Sequence, residues 1–264
     1  VRLQGGRAVH VPLGSEDFSI DFDRLRGAIS PRTRLVIVNF PHNPSGAVLS
    51  SRDLDELERC LRASNAFLLS DEVYEHIVFD ARPHQSVLRN HELARRSFVV
   101  GSFGKAYHAT GWKVGWVAAP APLSVELRKV HQFVTFATST AAQHALADVL
   151  ESDARHLADL PAFYQQKRDL FRSLLATSRF ELLPVAGTYF QLVEYGALSD
   201  ADDVSFAKRL TVEAGVAAIP ISVFYAEPPA QRRVRFCFAK SDELLREAAA
   251  RLCRLSATGA WSRS

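Results

Sequence analysis

Arg34-Leu-Val-Ile-Val38 runs directly into Asn39-Phe-Pro-His-Asn-Pro-Ser-Gly46. Four consecutive apolar residues, three of them β-branched, read as a short buried strand. The prolines and glycine that follow fix a tight loop at its carboxyl end. The same design recurs along the chain. Ala66-Phe-Leu-Leu-Ser70 leads into Asp71, Ser97-Phe-Val-Val-Gly101 leads into Ser102, and Val114-Gly-Trp-Val-Ala118 is a fourth apolar run. Between the first two runs, Ser50 and Ser51 precede Asp53, Leu54, Leu57, Glu58 and Leu61, which have helical spacing behind N-cap residues. Short apolar strands alternating with helices predict an α/β fold, a mostly parallel sheet covered by helices on both faces. Ligands of such sheets bind beyond the carboxyl ends of the strands, so the polar residues placed there carry the functional reading.

Outward from this region the pattern changes. Residues 124–150 read as helix, and 157–175 as a second helix with Pro161 near its start. Phe180-Glu-Leu-Leu183 and Thr188-Tyr-Phe-Gln-Leu-Val193 flank a Pro184–Gly187 turn and predict a hairpin-like pair. A helix over 204–214, strands over 216–219 and 234–238, and a helix over 242–255 follow. This predicts a large domain over 1–166, including an interdomain helix, and a smaller α+β domain over 167–264. Gly259–Ser264 reads as a loose tail.

A chain of 264 residues, 47% apolar and 23% charged, is ordinary globular material. The 17 Phe, 6 Tyr and 3 Trp exclude disorder. A net charge of +3 is too mild to argue for nucleic acid or an anionic membrane as partner. No apolar run approaches the roughly 18 residues a membrane helix needs. Cys60, Cys237 and Cys253 are odd in number and form no CxxC pair. They fit a reducing, cytoplasmic setting better than a disulfide framework or a zinc ribbon. The chain contains no methionine and opens on Val1-Arg2-Leu3 without a signal-peptide pattern. A processed N-terminus is one reading; the expectation, for reasons that come with the motifs below, is a chain truncated at its N-terminus.

Four stretches carry candidate chemistry. Asn43 sits in the first loop, which taken alone is a turn. Asp71 follows the second strand and is placed to pair with a buried cation, with Tyr74 three residues on; a helix cap or surface turn is the plainer alternative. After the third strand, Gly101-Ser-Phe-Gly-Lys105 lets the backbone approach a ligand and places an amine where partial dehydration makes it nucleophilic. Ser102 together with Lys113 suits a phosphate dianion. Arg235 falls on an apolar strand, where its charge needs a carboxylate partner, either a ligand or a nearby acid. Ser102-Phe-Gly-Lys105 also matches the S-x-x-K signature of serine nucleophiles, but the accompanying S-D-N and K-T-G are absent, Ser70-Asp71 being followed by Glu72.

In this order and spacing, Pro41-His-Asn-Pro-Ser-Gly46, Ser70-Asp-Glu-Val-Tyr-Glu-His76, Ser102-Phe-Gly-Lys-Ala-Tyr-His108, Thr110-Gly-Trp-Lys-Val-Gly115, Arg128-Lys-Val-His-Gln132, Gly187-Thr-Tyr-Phe190 and Arg235-Phe-Cys-Phe238 resemble the class I/II aminotransferases, in particular the kynurenine/methionine aminotransferase branch. The resemblance covers almost the whole chain. It implies a fold-type-I large domain lacking its N-terminal part, a smaller C-terminal α+β domain, and pyridoxal 5′-phosphate as cofactor. It implies transamination between an L-amino acid (methionine, aromatic or kynurenine-like) and a 2-oxo acid.

By the same resemblance Lys105 matches the lysine that joins the cofactor covalently, and Asp71 the carboxylate that pairs with its ring nitrogen. Tyr74 and Asn43 match residues bonded to its ring oxygen, Ser102 and Lys113 two phosphate ligands, and Arg235, with Asn43, the site of the substrate carboxylate. Many relatives carry Arg where this chain has Lys113. Gly5-Gly-Arg-Ala-Val-His-Val11 resembles a strand inside the large domain. That implies a C-terminal two-thirds fragment, inactive alone, with an exposed sheet face and edge, and a homodimer when full length. A second reading is the aminotransferase-like, cofactor-sensing domain of a transcription regulator.

Overall fold

The computed structural model describes residues 1–255; the expected tail at 259–264 lies outside the described residues. Contacts cluster into two compact units. One comprises Val1–Pro41 with Ala47–Leu160, the other His42–Gly46 with Pro161–Ser264.

In the first unit, helix α1 (Phe22–Ala28) precedes strand β1 (Leu35–Asn39). Helix α2 (Ser51–Arg62) begins with a capping box, in which the Ser50 hydroxyl accepts from the Asp53 N–H and Asp53 accepts from the Ser50 N–H. Its Leu54, Leu57 and Leu61 recur at helical spacing and are buried against Val36, Val38 and Leu68, in a core that Val99 and Leu93 complete. Burying each such side chain is worth about 1.5–3 kcal/mol. Strand β2 (Phe67–Asp71), helix α3 (His91–Ala94), strand β3 (Ser97–Ser102), the single-turn helix α4 (Phe103–Ala106) and strand β4 (Gly115–Ala118) follow. The sheet order is β1-β2-β3-β4. β1, β2 and β3 are parallel, as predicted, whereas β4 is antiparallel to β3.

Only one face of this sheet is packed by α2. The alternate residues Leu35, Ile37, Phe67 and Val117 are exposed on the other. Helix α5 (Ala121–Val134) has no buried residue, and Val130, Phe133, Val134 and Phe136 beside it are exposed.

Three sequence expectations are corrected. Gly5–Val11 is not a strand: it pairs with no neighbour among the described residues, and Gly5 turns the chain at φ 74°. The helix expected over 124–150 is two helices, α5 and α6 (Thr140–Ser152). The break falls where Phe136 takes φ 64° and the Ser139 hydroxyl accepts from the Ala142 N–H to start the second helix. The strand expected over 216–219 is found only at its end, over Ile219–Pro220.

Helix α7 (Ala154–Leu174) contains Pro161, where the two units divide. In the second unit, β5 (Glu181–Leu182), β6 (Phe190–Glu194), β7 (Ile219–Pro220) and β8 (Arg233–Cys237) form an antiparallel sheet of order β5-β6-β8-β7. Helix α8 (Asp203–Arg209) runs into a wide turn over Leu210–Ala214 that Gly215 ends at φ 68°, and α9 (Asp242–Cys253) closes the unit. Phe171, Phe180, Phe206 and Phe236 pack edge to face in its core, and Tyr195 stacks on Phe206.

Candidate active site

In the first unit the three parallel strands end along one edge of the sheet. Register pairs Asn39 with Asp71 and Asp71 with Val100, so the loops after β1, β2 and β3 leave side by side. β4 runs the other way, so it starts where β3 finishes: Ser102 pairs with Gly115. This reversal brings Lys113, two residues before that pairing, to the edge that holds Ser102 and Lys105. Gly101 permits the arrangement, because a Cβ there would lie 2.1 Å from the Trp116 ring on the neighbouring strand.

Asp71 is half-buried. Burial pushes its carboxyl up, against hydrogen bonds from the Val73 N–H and the Asn39 side chain and the attraction of the Lys105 charge. The Asn39 amide also donates to the Asp71 carbonyl oxygen at 3.1 Å. The contact with Val73 is the local turn bond that the plainer sequence reading anticipates. Lys105 Nζ lies 5.8 Å from the centroid of the Tyr74 ring, and Tyr74 is 3% exposed. Ser102 precedes α4 without a side-chain capping bond, and Lys113, at φ 57°, is exposed.

Behind Asp71 lies an acid that sequence reading did not single out. Glu72 is 1% exposed. Its carboxylate accepts from the Ser70 hydroxyl at 2.8 Å, the Val87 N–H at 3.0 Å and His84 Nε2 at 2.8 Å. Burial alone would raise its pKa, but the hydrogen bonds from His84 and Val87 and the His84 charge hold it below the usual carboxylate range. An acid directly after an apolar strand was the only sequence signal. That it is buried depends on the 84–87 loop folding over it.

In the second unit the structure brings together Asn43 and Arg235. Arg235 Nη1 donates to Asn43 Oδ1. The guanidinium lies 3.9 Å from the Phe190 ring centroid and 5.6 Å from that of Phe224. Its strand neighbour Arg233 pairs with Glu194. A guanidinium at this place can take a carboxylate through two parallel hydrogen bonds. The loop carrying Asn43 has cis peptides at Phe40–Pro41 and Asn43–Pro44. It is held by His42 Nδ1 and the Ser45 hydroxyl at 2.7 Å, and by the Gly46 carbonyl, which accepts from the Ala186 N–H at 3.0 Å and the Gly187 N–H at 2.8 Å. Burial drives the His42 imidazole down to about 4, so it is neutral near pH 7.

Five of the seven candidates, Asp71, Tyr74, Ser102, Lys105 and Lys113, thus belong to the first unit, and Asn43 and Arg235 to the second. At the first unit's sheet edge stand an amine, a half-buried acid within reach of its charge, and a hydroxyl and an ammonium that make no hydrogen bond or ion pair among the described residues. This donor set fits an aromatic aldehyde with a basic ring nitrogen and a phosphate. Among the described residues there is no cluster of side chains suited to a metal ion, and no helix is long and apolar enough to cross a membrane.

Comparison with known proteins identifies the family. The profile of the family "Aminotransferase class I and II" matches residues 1–252. A methionine aminotransferase of Escherichia coli (strain K12) is 49% identical over 255 residues, which are 97% of this chain and 66% of that protein. Kynurenine–oxoglutarate transaminase 1 of Mus musculus is 32% identical over 284 residues, covering 95% of this chain and 67% of its own length. A crystal structure described as a methionine aminotransferase from Escherichia coli superposes with a TM-score of 0.93 at 49% identity, covering 96% of this chain and 67% of that one. An aspartate aminotransferase from Thermus thermophilus superposes at 0.85 with 32% identity, covering 96% and 68%. The chain therefore spans about two thirds of the length of these relatives. Proteins of this family depend on pyridoxal 5′-phosphate. With nearly its whole length matched, the chain belongs to the class I and II aminotransferases.

Proposed function

We propose that the whole protein transfers an amino group between an L-amino acid, with methionine and aromatic or kynurenine-like donors preferred, and a 2-oxo acid. The observation that carries this is the Lys105 amine 5.8 Å from the ring centre of the buried Tyr74, with the half-buried Asp71 within reach of its charge, at the carboxyl edge of a parallel sheet. Pyridoxal 5′-phosphate, when bound, supplies a ring that accepts the electron pair left as the substrate α-proton departs.

The residues divide the remaining tasks. Lys105 holds the cofactor covalently and, once displaced by the substrate amine, takes the α-proton and returns it. Asp71, through the negative charge of its carboxylate, keeps a proton at the ring nitrogen. Ser102 and Lys113 bind the phosphate, Tyr74 and Asn43 the ring oxygen. Arg235 takes the substrate α-carboxylate through two parallel hydrogen bonds and so sets which bond at the α-carbon is broken. The rings of Phe190 and Phe224 around Arg235 support a sulfur-containing or aromatic substrate side chain.

The assembly is proposed to be a homodimer in the cytoplasm. The exposed Val130, Phe133, Val134 and Phe136, with Phe133 85% exposed, support a second copy as partner. The names of the matched relatives favour the enzyme over the regulator. The test is Lys105→Ala in the full-length protein. Turnover of a single half-reaction with methionine should fall at least about a thousandfold. Turnover within a few-fold of the parent refutes the reading.

A further inference from the structure

Lys105 sits on α4, a helix of one turn. A single isolated turn is unstable, because nucleating it fixes many dihedrals for one hydrogen bond. Something outside the turn must therefore hold it. Its flanking carbonyls are both tied by side chains. The Gly104 carbonyl accepts from the Thr110 hydroxyl at 3.0 Å. The Ala106 carbonyl, one that a helix end leaves without an internal partner, is 2.7 Å from His156 Nε2. A carbonyl only accepts, so that nitrogen carries the proton.

His156 comes from the first turn of α7, fifty residues away in sequence. Its own N–H donates to Asp153 Oδ1 at 3.1 Å. Its ring lies flat on Tyr107, with centroids 4.8 Å apart at 19°, and edge-on to His108 at 6.0 Å. The Tyr107 hydroxyl is buried and has no hydrogen-bond partner among the described residues, so ring contacts hold this side chain: the close stack on His156 and a longer, tilted contact with Phe103 at 6.1 Å. Trp112, Lys113 and the other residues of the 110–113 turn make no comparable contact with α7 among the interactions described.

We propose that His156 is a positioning residue for Lys105. Together with Thr110 it pins the two carbonyls that bracket the lysine, so the amine leaves the backbone in one fixed direction. This rests on the aminotransferase reading above. Thr110 acts from within the same loop, whereas His156 ties that loop to a separate helix.

The test uses the full-length protein with pyridoxal phosphate and three variants. His156→Phe keeps the stacking ring and removes the donor. His156→Gln keeps a donor and loses the ring. Thr110→Val removes the other pin. Three quantities are read: the rate at which borohydride-trappable cofactor forms on Lys105 of the apoprotein, located by peptide mass; the pH midpoint of the bound cofactor's visible band; and kcat against KM for methionine. His156→Phe should slow trapping about five- to tenfold, move the midpoint by at least about half a pH unit, and lower kcat by a similar factor with KM nearly constant. His156→Gln should recover most of each, and Thr110→Val should reproduce the His156→Phe pattern even if the latter folds poorly. A lowered melting temperature with an unchanged trapping rate, midpoint and kcat per bound cofactor overturns the proposal. A parent protein that traps no cofactor at Lys105 overturns the aminotransferase reading as well, so the two failures are distinct.

Discussion

Replacing Gly46 by alanine should cut the second unit's stability and disturb the Asn43–Arg235 pair together. Gly46 has φ +74°, and a Cβ there would stand 2.7 Å from the Gly187 carbonyl oxygen and 3.0 Å from Val185 Cγ1. Carbon and oxygen in ordinary close contact stand about 3.3 Å apart, so the loop or the 185–188 turn must retreat by roughly 0.6 Å. The left-handed backbone costs alanine about 1–2 kcal/mol. Retreat weakens the bonds from Ala186 and Gly187 to the Gly46 carbonyl, each worth about 0.5–1.5 kcal/mol. The combined loss is about 2–5 kcal/mol, a large share of the 5–15 kcal/mol typical of a domain. Urea unfolding followed by circular dichroism measures it as a lowered midpoint at constant slope. Because Asn43 is on the same loop, KM for the amino acid should rise in parallel. A midpoint loss equivalent to less than about 1 kcal/mol refutes the reasoning.

Two further outcomes follow from the same unit. His42 has a folded-state pKa of about 4, against about 6.5 when unfolded. Between those values the unfolded chain binds more protons, so stability rises with pH. The histidine has no effect above about pH 6.5 and removes up to about 3 kcal/mol as pH falls to 4. Urea midpoints measured across that range should flatten in His42→Asn, and an unchanged slope contradicts the assignment. Arg235→Lys replaces a planar fork by a point charge and should raise KM for amino acids about ten- to a hundredfold with a smaller change in kcat; KM within twofold of the parent rules out Arg235 as the carboxylate clamp.

The strands at 35–39, 67–71 and 97–102 were legible because a buried parallel strand is written as a continuous apolar run, and the polar residues after them were legible from that topology alone. Direction was not. Val114–Ala118 reads identically as a parallel or an antiparallel strand, yet only the antiparallel course brings Lys113 beside Ser102. Asn43 and Arg235 stood out as separate motifs, but their pairing across 192 positions has no local signature. The same holds for His156, a lone histidine at a helix start whose partners lie fifty residues earlier. Glu72 shows the converse. Its type and place were visible, while its burial arises from His84 and Val87 closing over it. What failed outright, the strand over 5–11 and the single helix over 124–150, lacked in one case a pairing neighbour and in the other a reason to cross the Phe136 turn.

The hydrogen-bonded pairing of Ser102 with Gly115 makes the excursion Phe103–Val114 a closed ring in mechanical terms, departing from and returning to one point of the sheet. Lengthening such a ring by a residue or two adds only a few tenths of a kcal/mol to its closure cost. Slack introduced between Ala106 and Trp112 is therefore confined to the ring and leaves the register of the four strands as it was. Two basic residues stand near the ends of that ring, and between them Thr110 ties its hydroxyl to the Gly104 carbonyl, so a change in the span reaches Lys105 without reaching the sheet.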